Sequence, residues 1–169
     1  MAAAGFKLKS SDTEVDDLFI YPRDLWITWG SDERYWRWHW LLLRSQDYKD
    51  IEVPQLLEVC WLEIKGKFSM SQLTPNAKYE VVFVVMLLEP SFGWESPVTL
   101  SLDTPDDKST SRKSDELKKM PVNEWKELLV GSFTASASGD VTFSMLGDDK
   151  THWKKGLVVK YVEVRPAYN

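Results

Sequence analysis

From Leu25 onward, apolar and polar positions alternate in short runs, the period of strands that bury one face. In RYWRWHWLLL, Trp36, Trp38 and Trp40 point one way, while Tyr35, Arg37 and His39 point the other. LWITW before it is a short aromatic and β-branched run, closed by the turn residues GSDE. VCWLEIKGKF alternates again, with Cys60, Leu62, Ile64 and Phe68 opposite Trp61, Glu63, Lys65 and Lys67. KYEVVFVVMLLE is apolar on both faces at its middle, as a central strand of a two-layer protein would be. PVTLSLD, EWKELLVGSFT, VTFSML and LVVKYVEVRP complete the predicted strands, separated by turn-rich segments.

Residues 1–20 read as a flexible lead-in and 21–169 as a single domain. SQDYKDIEVPQLLE reads as a polar connection with one helical turn after Pro54, and 103–120 as a long surface loop. No internal repeat, heptad pattern or long amphipathic helix interrupts the strands. The pattern predicts an all-β fold, an antiparallel β-sandwich of jelly-roll type.

Composition narrows the chemistry. Hydrophobic residues make up 43% and charged residues 28% of the chain, enough for one sizeable core. The net charge of −5 argues against a partner recognised through phosphates. Cys60 has no second cysteine to pair with and reads as a buried, inert thiol. The start lacks a signal-peptide run, and VVFVVMLL is too short to cross a membrane. A cytoplasmic or nucleocytoplasmic protein, not secreted through a signal peptide and not inserted in a membrane, is expected.

Catalytic signatures are missing. There is no glycine-rich phosphate loop and no G-x-S-x-G elbow. His39 and His152 lack metal-ligand spacing, so no metal site and no cofactor are expected. Glu95, Asp148 and Asp149 lie beside tryptophans, where a glycosidase would keep its carboxylates. They read instead as solvated loop acids or acceptors for a ligand, and the chain as no enzyme.

Aromatic loops offer more. A pyranose presents C–H bonds on one face, which an indole covers, and hydroxyls at its rim, which polar side chains take. WGSDERYW, FGWE and DDKTHWKKG combine those residue types. Trp26, Trp38, Trp40 and Trp61 lie inside predicted strands and read as core, and Trp125 as structural. Trp29 and Trp36 flank a turn, while Trp94 and Trp153 sit in loops.

RDLWITWGSDERYWRW, VCWLEIKGKF, KYEVVFVV, FGWESPV and HWKKGLVVKYVEVRP together resemble the plant phloem protein 2 family, in its stand-alone, Nictaba-related lectin branch. The resemblance runs from about Arg23 to Pro166 in the same order. It implies a jelly-roll-like lectin of cytosol, nucleus or phloem sap that binds N-acetylglucosamine oligomers, namely chitooligosaccharides and N-glycan cores. It also implies a homodimer, and for some members an association with RNA. The family's W-G…R-Y-W aromatics fall on Trp29 and Trp36, with Arg34 and Tyr35 in the same segment. Trp94, Glu95, Trp153 and Lys154 join them on physical grounds as candidate ligand contacts. The alternative is a phloem protein- or RNA-interaction module without sugar binding.

Overall fold

The computed structural model describes residues 5–9, 16–42, 50–106, 108–147 and 151–167. Its strands are β1 (Gly5–Lys9), β2 (Asp16–Ile20), β3 (Trp26–Ile27), β4 (Trp36–Leu42), β5 (Asp50–Leu56) and β6 (Leu62–Ser69). They continue as β7 (Lys78–Phe92), β8 (Val98–Asp103), β9 (Thr110–Ser114), β10 (Lys126–Thr134), β11 (Asp140–Gly147) and β12 (Lys155–Pro166). One helical turn, α1 (Glu116–Lys119), follows β9.

Two antiparallel sheets face each other. The first is centred on β12, which pairs along one side with β7 and, through β7, with β10. On its other side β12 meets β2 near its C-terminal end and β5 near its start. The second sheet has the order β3-β6-β11-β8-β9. This is the antiparallel β-sandwich that the alternation predicts.

The core fills the space between the sheets. Tyr79, Val81, Phe83, Val85 and Leu87 of β7 point into it, against Ile64, Phe68, Val141, Phe143 and Met145. Phe83 meets Phe143 edge-on, with centroids 5.8 Å apart. Each such buried phenylalanine stabilises the sandwich by roughly 1.5–3 kcal/mol. Behind the first sheet, Ile51, Val53 and Val158 form a smaller cluster against Met86, Leu88 and Trp125. Those two clusters explain the unbroken apolar run of β7, which is covered on both faces.

Several segments depart from the sequence reading. Within residues 1–20, β1 and β2 form an antiparallel pair, and Leu18 and Ile20 lie in the core. Their D-D-L-F-I run is too short to show a period against its polar surroundings. The expected connection before Leu57 is in fact β5, with Pro54 paired to Trp38. A proline is tolerated there because β12 is paired in register with β5 at one position, Val158 with Gln55, so no continuous ladder on that side needs its N–H. The long loop contains β9, an edge strand on β8 whose composition, TSRKS, is the charged kind that edges carry.

Candidate functional site

At one end of the sandwich, β3 leads through a tight turn into β4. Gly30 N–H donates to the Ile27 carbonyl at 2.9 Å, and Asp32 N–H to Trp29 at 3.0 Å. The Asp32 carboxylate then receives the Arg34 backbone N–H at 2.9 Å and the Arg34 guanidinium at 2.8 and 3.1 Å. Those guanidinium hydrogen bonds hold the Asp32 carboxyl below the usual carboxylate range. Thr28 fastens the turn to β6: its N–H donates to the Glu63 carbonyl at 3.0 Å and its hydroxyl to the Glu63 carboxylate at 2.7 Å. The Thr28 hydroxyl is the main reason the Glu63 carboxyl titrates low.

Trp29 occupies the crest of this turn at φ 60°. A bulky residue in the left-handed region stores roughly 1–3 kcal/mol of backbone strain, which the surrounding hydrogen bonds must hold. Its ring is 49% exposed and leans on Tyr35, with centroids 5.3 Å apart at 38°. The Arg34 guanidinium lies 5.1 Å from the Tyr35 centroid. Trp29 and Arg34 are exposed and Tyr35 is half-buried against the core, so the three form one aromatic and cationic cluster at the surface.

Beside the cluster lies a hollow of about 290 Å³ lined by Arg23, Trp26, Trp29, Gly30 and Trp38. The Trp38 indole N–H donates to the Gly30 carbonyl at 2.7 Å, and the Arg23 guanidinium stacks 3.6 Å above its ring. Glu52 receives Arg23 at 2.7 and 3.1 Å and keeps it there. Three indoles and a guanidinium thus surround a site with apolar faces and a polar rim.

The remaining sequence candidates divide. Trp36 is 2% exposed in the core, because β4 turns that ring under the 29–35 turn towards Leu56. Trp94 is buried too, donating its indole N–H to the Lys155 carbonyl at 3.1 Å. Lys154 is 1% exposed, and its ammonium donates to the Cys60 and His152 carbonyls at 2.8 and 3.1 Å. Those three rings and chains present nothing to solvent. Trp153, at 50% exposure, and Glu95 stand outside. Gly93 lets their two loops close up: at φ 90° it sits directly against the Trp153 carbonyl, where a Cβ would collide. Both loops share an end with the Trp29 turn, since Leu57 donates to Tyr35 at 2.8 Å and Val59 exchanges backbone hydrogen bonds with Lys154. Asp148 and Asp149 lie outside the described residues.

Arg23, Trp26 and Trp38 were the residues that sequence reasoning did not bring to the site. Trp26 was read as core, yet it is 68% exposed. Leu25 and Ile27 pack against the core on either side of it, so a period of two already put Trp26 on the outer face. Trp40, also read as core, is exposed beyond the reach of the second sheet, and Trp38 and Trp61 are only half-buried. Cys60 is half-buried as well.

A family model described as Phloem protein 2 matches residues 16–166. Protein PHLOEM PROTEIN 2-LIKE A1 of Arabidopsis thaliana is 40% identical over 150 residues, which is 87% of this chain and 60% of that protein. A Luffa acutangula protein named Lectin is 35% identical over 158 residues, 92% of this chain and 73% of its own. In three dimensions the chain resembles part of a GH26-CBM35 β-(1,4)-mannanase from Podospora anserina. That match has a TM-score of 0.52 and 7% identity, covering 90% of this chain and 28% of the mannanase, and it speaks for the fold alone. From the family match and the two sequence relatives together, the chain belongs to the phloem protein 2 family.

Proposed function

We propose that this chain is a carbohydrate-binding lectin that recognises N-acetylglucosamine oligomers without chemical change. The observation that carries the reading is the hollow walled by Trp26, Trp29 and Trp38 with Arg23 at its rim. Indole faces cover the C–H patches of a sugar ring, and guanidinium N–H groups of Arg23 and Arg34 donate to hydroxyls or to an acetamide carbonyl. The Luffa relative's name, Lectin, agrees with this chemistry.

The binding residues are Trp29, Arg34 and Tyr35, extended by Trp26, Trp38 and Arg23. Trp153 and Glu95, at the same end, form a separate outer patch. Trp36, Trp94 and Lys154 are buried and serve the fold, not ligand contact. An open hollow of this kind binds weakly, on the order of micromolar to millimolar, so a homodimer would raise avidity. Phloem sap is the expected location, by membership of the family.

Calorimetric titration with chitotriose, against cellotriose as the control without acetamides, tests the proposal. Saturable binding of chitotriose alone is the expected result. Absence of heat with either sugar, at several temperatures and with folded protein, would leave the interaction-module reading in its place.

A further inference from the structure

β2 is anchored firmly on one side and bordered by a lightly held strand on the other. Leu18 and Ile20 are fully buried in the core, and β2 pairs with β12 at Leu18–Val164, Phe19–Glu163 and Ile20–Val162. The Phe19 ring meets Tyr161 edge-on, with centroids 5.0 Å apart. Among the described residues β1 pairs with β2 alone, from Gly5–Ile20 to Lys9–Asp16. It also precedes residue 16, where the family match begins. A terminal strand held by a single ladder opens ahead of the core it borders.

An opened β1 uncovers the N–H and C=O groups of a sheet edge, the template on which an extended peptide adds as a further strand. The register gives that peptide its chemistry. Phe6 stands opposite Phe19, Leu8 opposite Asp17 and Lys9 opposite Asp16. Glu163 adds a third acidic position, across β2 from Phe6. Arg165, 3.8 Å from Glu163, is already engaged by Glu80 at 2.8 Å and Glu127 at 2.6 Å. A lysine or arginine therefore fits opposite Asp16, and an apolar ring opposite Phe19 beside Tyr161.

We infer that the β2 edge is a strand-addition site for an extended, alternating basic and apolar segment of a partner protein, with β1 as its resident occupant. Main-chain hydrogen bonds to β2 supply the affinity, and the basic and aromatic positions supply the selectivity. Residues 10–15 tether β1 at an effective concentration of about a millimolar, so a partner segment must bind more tightly than β1 to displace it. Sugar binding plays no part in this site.

Fluorescence anisotropy on the full chain, with a labelled peptide of the β1 sequence, AAGFKLKSS (residues 3–11), tests it. A peptide with both lysines replaced by glutamate is the control. The chain is used as wild type and as Lys7→Pro with Leu8→Pro, and thermal melts check that the fold is kept. Successive N–H groups of a strand point to opposite sides, so one of two adjacent prolines removes a donor to β2. The double variant should bind the lysine peptide one to one, the wild type at least about tenfold more weakly, and neither should bind the control. Hydrogen exchange on the wild type needs no variant: β1 amides should exchange faster than those of β12, and faster still with the lysine peptide in excess. A folded double variant that ignores the lysine peptide, or takes both peptides alike, overturns the site. So do β1 amides as slow as those of β12 or unmoved by the peptide. Dimerisation of the wild type that the two prolines abolish would give the edge to the β1 of a second copy and overturn the partner reading.

Discussion

Trp29 and Trp36 close the two ends of one turn, yet Trp29 is 49% exposed and Trp36 is 2% exposed. Tyr35 lies between them: its ring meets Trp29 at 5.3 Å, and its backbone carbonyl receives Leu57 beside the buried indole. The same motif therefore supplies one ring for the surface and one for the core, and their substitutions should behave oppositely.

Trp29→Asn should lose binding without losing the fold. Asparagine accepts the left-handed backbone that Trp29 adopts at φ 60°, so relief of strain offsets the lost contact with Tyr35. The expected stability change is within about 1 kcal/mol, with chitotriose affinity reduced at least tenfold. A thermal melt paired with calorimetry reads both. Unimpaired sugar binding would remove Trp29 from the site.

Trp36→Ala should instead cost about 3–5 kcal/mol, the usual range for emptying a large aromatic position. The Trp36 indole N–H has no hydrogen-bond partner among the described residues. Trp36→Phe removes that buried donor, whose burial costs roughly 1–3 kcal/mol, while keeping most of the ring. Urea titration should rank the phenylalanine variant far closer to wild type than the alanine variant. Sugar affinity of folded Trp36→Phe should be unchanged.

Lys154→Met separates support from recognition. The buried ammonium donates to Cys60 and His152 carbonyls, so its removal loosens the 151–154 loop by about 1–3 kcal/mol of local stability. Hydrogen exchange should quicken at the Val59 and Lys154 amides. Because the ammonium is turned inward, chitotriose affinity should stay within about twofold of wild type. A large affinity loss with unchanged exchange would assign Lys154 to the ligand.

Glu163→Gln addresses pH. Burial first, then the negative charge of Asp17, pushes the Glu163 carboxyl up to about 7, even with Arg165 at 3.8 Å. A raised carboxyl favours its neutral form in the fold. Its contribution to stability is therefore complete below the unfolded value near 4.5 and is lost as pH rises through about 7. Glu163→Gln should match wild type near the lower limit and exceed it at pH 8, by at most ~3 kcal/mol. Denaturation midpoints across that window decide it. An equal difference at every pH would mean that Glu163 does not titrate there.

Much of the sandwich is legible in the chain because alternation is a local signal. Leu62, Ile64 and Phe68 face inward whatever the sheets do later, and Asn76 and Gly139, in turn-rich segments between predicted strands, take positive φ. The strands that escaped notice, β1, β2, β5 and β9, share a different property. They are short, interrupted by proline or placed at an edge, and their neighbours rather than their own composition hold them in place.

The tryptophans mark the boundary between the two kinds of knowledge. By itself the sequence determined the family, the β-sandwich and the crowding of indoles around one turn, all of which follow from residue order and a period of two. Only the tertiary structure decided which rings meet solvent. Trp36 and Trp40 lie on the same side of one strand, yet the opposing sheet and the turn cover Trp36 and leave Trp40 bare. Alternation assigns a side chain to a face; whether that face is covered depends on how far the second layer extends over it.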